Sequence, residues 1–316
     1  MGDHSRRSHG GVCPVELITL DFETYYSKDF TLSHLTTEQY IRDPKFEVIG
    51  VGVKVGDGDT QWASGSHGRL GEWMRQFDWS NAMLVCHNTM FDGAILSWIF
   101  DIHPKALADT RLMARAVDGT DVSHSLKAAS ERHGLKLRKG DELVNTIGKR
   151  RVHFTDEELS RFGDYCVTDV ELTYELFMRL TKCVPKKEMQ LIDLTLRMFT
   201  EPVLELDVRG LRQHLEDTQH AKRELLIKAG ITDRKQLMSN KLFAQMLTDL
   251  GVDPPRKISP RTSKLTYAFA KSDKEFTELL EHENPDVQAL VAARIGTKST
   301  LEETRTERLI GIGERG

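Results

Sequence analysis

A short apolar run at residues 15–20 ends in two acids one residue apart, Asp21 and Glu23, within the stretch LITLDFET. The run is brief and rich in β-formers, which predicts a strand. Side chains alternate faces along a strand, so both acids point to the same side. Two carboxylates crowded there repel each other unless a cation or a shared proton intervenes. A solvated strand end would also accommodate them, so the rest of the chain has to decide.

The first half of the chain alternates strand and helix signals. Strands are expected at 15–21, 46–55, 61–63 and 83–86, with a strand end in ALADT at 106–110. A helix over 89–100 has Phe91, Ile95, Trp98 and Ile99 on one face. Another at 125–134 stops at a glycine, and a long one begins at TDEE, where Thr155 and Glu158 fit a capping box. This alternation predicts an α/β core built on one mixed sheet and flanked by helices.

Two of these helices carry polar groups at helical spacing. In HNTMFD, Asn88 and Asp92 are four apart at a helix start, where an N-cap and a dipole-facing acid would also suit them. In YCVTD, Tyr165 and Asp169 are again four apart, beside the apolar seam of Phe162, Cys166 and Val170. An acid next to such a seam is costly unless something neutralises it. Four carboxylates brought together suit two hard divalent cations, which prefer oxygen ligands. Two such ions about 4 Å apart can activate water and stabilise the leaving oxygen of a phosphodiester.

At these residues the chain resembles the DEDD superfamily of 3′–5′ exonucleases, in its tyrosine-containing branch. Asp21-Phe22-Glu23 matches the first motif, Asn88 to Asp92 the second and Tyr165 to Asp169 the third. The resemblance implies a ribonuclease-H-like sheet with the acids at one end. It implies that Asp21, Glu23, Asp92 and Asp169 bind two Mg²⁺ or Mn²⁺ ions, with Tyr165 orienting the attacking water. It also implies that Thr24 and Asn88 contact the terminal nucleotide, with Phe22 and Phe91 either packing behind the metals or lying near the terminal bases.

The formal net charge of −4 excludes a generally basic nucleic-acid coat but not a local basic groove. The segment 136–151, with Lys139 and Arg150, is a candidate phosphate track, and a solvated loop fits it equally. Cys13, Cys86, Cys166 and Cys183 are too scattered for a zinc knuckle or a disulfide framework. No apolar run approaches the roughly 18 residues of a membrane span. Residues 1–12 read as a flexible tail, and reduced thiols suggest a cytoplasmic setting.

Beyond about residue 186 the pattern turns mostly helical, with a boundary expected between 183 and 201. From Pro202 on, the chain resembles the thumb-like start of a phage-type family-A DNA polymerase, in PVLELDVRGL, SNKLFAQMLTDLGV and ARIGTKSTLEETRTERL. Arg256, Lys257, Arg261 and Lys264 are candidate duplex contacts, or a solvated linker. The palm and fingers motifs of that family do not occur, so the expectation is a truncated polymerase that does not extend a primer. The domains expected are thus a tail (1–12), a 3′–5′ exonuclease (13–185) and a thumb-like part (186–316).

Together these resemblances imply a monomeric, metal-dependent proofreading exonuclease. It would act on single-stranded DNA 3′ ends and primer-template DNA, in a phage-infected bacterial cell, beside the replication proteins of the full polymerase. The alternatives are an RNA 3′-end exonuclease like ribonuclease D, or a catalytically silent DNA-binding module.

Overall fold

The computed structural model describes residues 15–136 and 146–315. The tail at 1–12, Cys13 and two basic candidates, Arg138 and Lys139, lie outside the described residues.

Five strands make one mixed sheet in the order β3-β2-β1-β4-β5. They are β1 (Glu16–Thr24), β2 (Val48–Val55), β3 (Gln61–Ser64), β4 (Ala82–Cys86) and β5 (Ala106–Asp109). β2 runs antiparallel to β1 and to β3, whereas β1, β4 and β5 are parallel. The first unit's helices are α1 (Thr37–Arg42), α2 (His67–Met74), α3 (Thr89–Phe100), α4 (Thr110–Asp118), α5 (Leu126–Arg132), α6 (Asp156–Leu180) and α7 (Lys186–Thr200). This is the ribonuclease-H-like α/β arrangement expected from the sequence.

The two faces of β1 have different jobs. Ile18, Leu20 and Phe22 are buried on one face, and Phe22 stacks on Phe100 of α3 with ring centroids 5.7 Å apart. Thr19, Asp21 and Glu23 alternate onto the other face, beneath α6. Across the register, Asp21 lies opposite Gly52 and Glu23 opposite Gly50 of β2. The bare Gly52 lets α6 come close, while Gly50 leaves room for the Trp62 ring of β3. A Cβ on Gly52 would stand 2.9 Å from Cys166 Sγ and 3.0 Å from Val170 Cγ2, both on α6. Two residues further, Lys54 of β2 pairs with Glu171 of α6 at 3.0 Å and pins the helix along the strand.

Capping fixes where α6 begins: the Thr155 hydroxyl accepts from the Glu158 N–H, and the Glu158 carboxylate accepts from the Thr155 N–H. A residue in the left-handed region, Asn88 (φ 83°), turns the chain from β4 into α3.

The chain divides into two compact units between Val203 and Leu204. Helix α7, which the sequence assigned to the second part, packs within the first. Its Asp193 accepts from the Leu107 N–H of β5 at 2.7 Å, and its Phe199 ring lies 5.0 Å from Trp98 of α3.

The second unit is mostly helical, with α8 (Val208–Lys228), α9 (Arg234–Met238), α10 (Asn240–Asp249), α11 (Lys274–Glu278), α12 (Pro285–Lys298) and α13 (Leu301–Arg315). Within it, the stretch expected as a linker forms a small antiparallel ribbon, β6 (Arg256–Ile258) and β7 (Leu265–Tyr267). Its core gathers Phe243, Leu247, Phe269, Phe276 and Val291. Arg294, 1% exposed, carries its guanidinium 4.6 Å from the Phe243 ring centroid and 5.4 Å from that of Phe269.

Because α6 rests on Gly52, Gly52→Val should force helix and strand apart and destabilise the fold by about 1–3 kcal/mol. Thermal unfolding of the variant measures this, and an unchanged Tm would refute the close approach.

Candidate active site

β1 runs past the end of β4: their parallel pairing stops at Thr19 with Val85. The Phe22 N–H therefore has no strand partner on that side. Asp92 Oδ1 accepts it at 3.1 Å, which plants the α3 acid between Asp21 and Glu23 along the strand. From the opposite face, α6 delivers Tyr165 and Asp169. The Asp21, Glu23 and Cys166 ligand atoms all lie within 4.8 Å of one another. All four sequence-predicted acids and Tyr165 thus meet at the end of β1.

The electrostatics of this cluster are unfavourable without a cation. Burial, then the charge of Asp169, push the Asp21 carboxyl up to about 7. Glu23 is raised well above its ordinary value by burial and by the charges of Asp21, Asp169 and Asp92. Burial and Asp21 also raise Asp92, although the Phe22 N–H works against that rise. Burial raises Asp169, while its hydrogen bond from Tyr165 opposes the shift. The Tyr165 phenol is pushed well above its ordinary value by burial and the neighbouring acids, so at neutral pH it donates a proton rather than accepting one.

The donor set fits hard divalent ions: four carboxylates that repel one another at neutral pH are relieved by positive charge. Cys166 is the one soft group among them. Its thiol, held protonated by burial, donates to the Asp21 carbonyl at 3.4 Å and to Asp21 Oδ2 at 3.5 Å. It therefore orients Asp21 as a hydrogen-bond donor.

The substrate candidates divide. Phe22, 5% exposed and stacked on Phe100, is core, the packing alternative rather than a position near the terminal bases. Phe91 is half-buried, with its ring 6.0 Å from that of Tyr40. Thr24 shares a 3.1 Å hydrogen bond with the Tyr40 hydroxyl. Asn88 caps α3 through its backbone position alone, and its Oδ1 accepts from Arg111 at 3.1 Å.

Of the basic candidates, Arg150 is already engaged: it pairs with Glu47 at 2.8 Å and lies 4.3 Å over the Tyr25 ring. Lys257 pairs with Asp273, and Arg256 lies 5.3 Å over Tyr267. Arg261 and Lys264 are exposed in the turn between β6 and β7.

One buried acid was not singled out in the sequence. Asp109, 2% exposed at the end of β5, accepts the N–H groups of Asn88 (3.1 Å), Thr89 (3.0 Å), Arg111 (2.8 Å) and Leu112 (3.3 Å). It holds the left-handed turn at Asn88 and the start of α4 together, and so sets the direction of α3. The sequence signal was an N-cap aspartate at a strand end, as in D-T-R-L.

Residues 39–185 match the family model of the 3'-5' exonuclease, of the DNA polymerase A type. The match contains the Asn88–Asp92 and Tyr165–Asp169 motifs and begins after β1, which carries Asp21 and Glu23. Among solved structures, Brucella melitensis NrnC aligns with 16% identity over 58% of this chain and 81% of its own, with a TM-score of 0.42. The POL domain of Pol1 from M. smegmatis, in complex with DNA primer-template and dNTP, aligns with 16% identity over 92% of this chain and 46% of its own (TM-score 0.45). The catalytic core of RRP6 from Trypanosoma brucei aligns with 16% identity over 94% and 73% (TM-score 0.42). No curated protein matches. Among the described residues, no helix is long and apolar enough to cross a membrane.

A carboxyl whose pKa rises on folding binds its proton more tightly in the folded chain than in the unfolded one. The stability tied to Asp21 is thus fully present below its ordinary value of 3.8 and is lost as pH rises through about 7. The metal-free protein should show a falling Tm across that window, and Mn²⁺ at pH 7.5 should restore it. A flat profile, or a Tm indifferent to Mn²⁺, would contradict the cluster's electrostatics.

Proposed function

We propose that this 3′–5′ exonuclease-family chain hydrolyses DNA from its 3′ end in a reaction that requires two divalent cations, as the proofreading nuclease of a family-A-type DNA polymerase. One observation carries the reading: Asp21, Glu23, Asp92 and Asp169 converge at the end of β1, with Tyr165 beside them. The DNA assignment rests on the polymerase-A type of the matching family model.

Asp21, Glu23, Asp92 and Asp169 would hold Mg²⁺ or Mn²⁺. Bound there, such ions acidify water and offset the charge developing on the leaving oxygen. The chain's own groups do the positioning. Tyr165, protonated at neutral pH, donates to Asp169 and is placed to orient the attacking water; it does not act as a base. Asp92 is fixed by the Phe22 N–H and Asp21 by the Cys166 thiol, so both carboxylates are oriented before substrate arrives. The water oxygen bonds to the terminal phosphorus, the P–O3′ bond breaks, and the departing O3′ takes a proton. The products are a deoxynucleoside 5′-monophosphate and a strand one nucleotide shorter with a free 3′ hydroxyl.

Incubation with a 5′-labelled single strand in Mg²⁺, in Mn²⁺ and in EDTA tests this, with the matching RNA in parallel. A ladder that shortens from the 3′ end, needs metal and spares RNA is expected. RNA trimmed in preference to DNA would replace the substrate reading, and absence of cleavage in either metal would refute the activity. Asp21→Ala and Asp169→Ala should each lower the rate by about a hundredfold or more, without loss of fold by circular dichroism. Tyr165→Phe should cost less, because water positioning is one contribution among several. A loss as large as that of a carboxylate variant would overturn the positioning role.

A further inference from the structure

A cavity of about 650 Å³ opens next to Asn88, between α4 and the loop that leads to α5. Its lining includes Arg111, Arg115, His87 and His124 and contains no carboxylate. Its volume lies within the range typical of ligand sites, roughly 300–1,000 Å³. Arg111 and Arg115 are four apart on α4, so they share a face and repel each other. No ion pair to either guanidinium occurs among the described residues. Of the two acids at the ends of this helix, Asp109 is spent on four backbone N–H groups and Asp118 is paired with Arg132 and His133.

His87 helps to shape this cavity. His87 bridges the Thr110 hydroxyl and the His124 carbonyl, each at 2.9 Å, tying the loop to the end of β4. Both of its ring nitrogens are used. Arg111 is fastened through Nη1 to Asn88 Oδ1 at 3.1 Å, and Asn88 is itself held by Asp109. The remaining donors of a guanidinium fork match phosphate oxygens. Asn88 lies one helical turn before Asp92, roughly 6 Å along the axis.

We propose that this cavity is a phosphate-binding subsite in which Arg115 and Arg111 hold a single-stranded nucleic acid next to its scissile end. The inference rests on the exonuclease reading and extends it from the metal centre to strand capture. The phosphate is either an internal backbone phosphate or the 5′-terminal phosphate of a very short strand.

Fluorescence anisotropy of a labelled single-stranded DNA in EDTA tests the subsite without catalysis. Arg115→Ala should weaken binding by about tenfold, equally for unrelated sequences. It should also reduce the slope of log K against log salt by about 0.7, the value for one lost contact to a single strand. Arg115→Glu should weaken binding further, and Arg115→Lys should restore most of it. Because the Arg115 side chain is exposed, Tm should not move.

Competition by dinucleotides with and without a 5′ phosphate separates the two sources. If only the phosphorylated form depends on Arg115, the terminal phosphate is bound; if long strands lacking it also depend on Arg115, a backbone phosphate is bound. An affinity and salt slope unchanged in both Arg115→Ala and Arg115→Glu would overturn the subsite, as would a wild-type chain that does not bind the strand. A chain that binds through Arg115 but never cleaves leaves the subsite standing and removes the nuclease reading. One that cleaves with Arg115-independent affinity does the reverse.

Discussion

Mutual repulsion among Asp21, Glu23, Asp92 and Asp169 is the constraint around which the first unit is arranged. Burial raises the cost of each negative charge, and proximity raises it again. A fold optimised for stability alone would have spread these groups apart. Here the backbone forces them together from both faces of the sheet. The Phe22 N–H, left unpaired where β1 outruns β4, anchors Asp92. Gly52, opposite Asp21, admits α6 close enough for Cys166 to reach Asp21. The strain is local, and its natural relief is positive charge supplied from outside.

Around that centre stands a set of uncharged or fully paired supports. Asp109 uses its carboxylate on four backbone N–H groups and keeps the left-handed turn at Asn88 rigid. Lys54 and Glu171 neutralise each other where β2 meets α6. Arg150 is neutralised by Glu47. The cationic groups left without acids in the cavity beside Asn88 are Arg111 and Arg115, on the helix that Asp109 caps. Asn88 thus stands four residues before Asp92 and hydrogen-bonds Arg111 of the cavity, a placement suited to a polyanion whose end is cut and whose body is held.

The acids were legible in the sequence because each sits at a place where periodicity is strong: a strand end, a helix start and a long amphipathic helix with a capping box. What made them one site was not local. The Phe22–Asp92 bond joins residues 70 apart in sequence, and the Cys166–Asp21 contact joins residues 145 apart. Asp109 was missed because an aspartate at an N-cap has an ordinary local purpose, and its extra bonds come from another helix. Of the two places open to Phe22, packing follows from its alternation with Asp21 and Glu23, which sends it to the opposite, buried face. Helices α1, α2 and α4 were not picked out from the sequence. Even so, α1 carries a Thr36–Gln39 capping box, which was readable. Helix α7 was assigned to the wrong unit because its amphipathic pattern states that it packs, not on what.

The central claim is that four carboxylates at the end of β1 form a two-cation site. Mn²⁺ binding followed by electron paramagnetic resonance counts the ions directly, in the presence of a single strand ending in a hydrolysis-resistant phosphorothioate. About two tightly bound ions per chain are expected, with at least one lost in Asp169→Asn. Weak binding at a single site, or a stoichiometry unchanged by that substitution, would contradict the account.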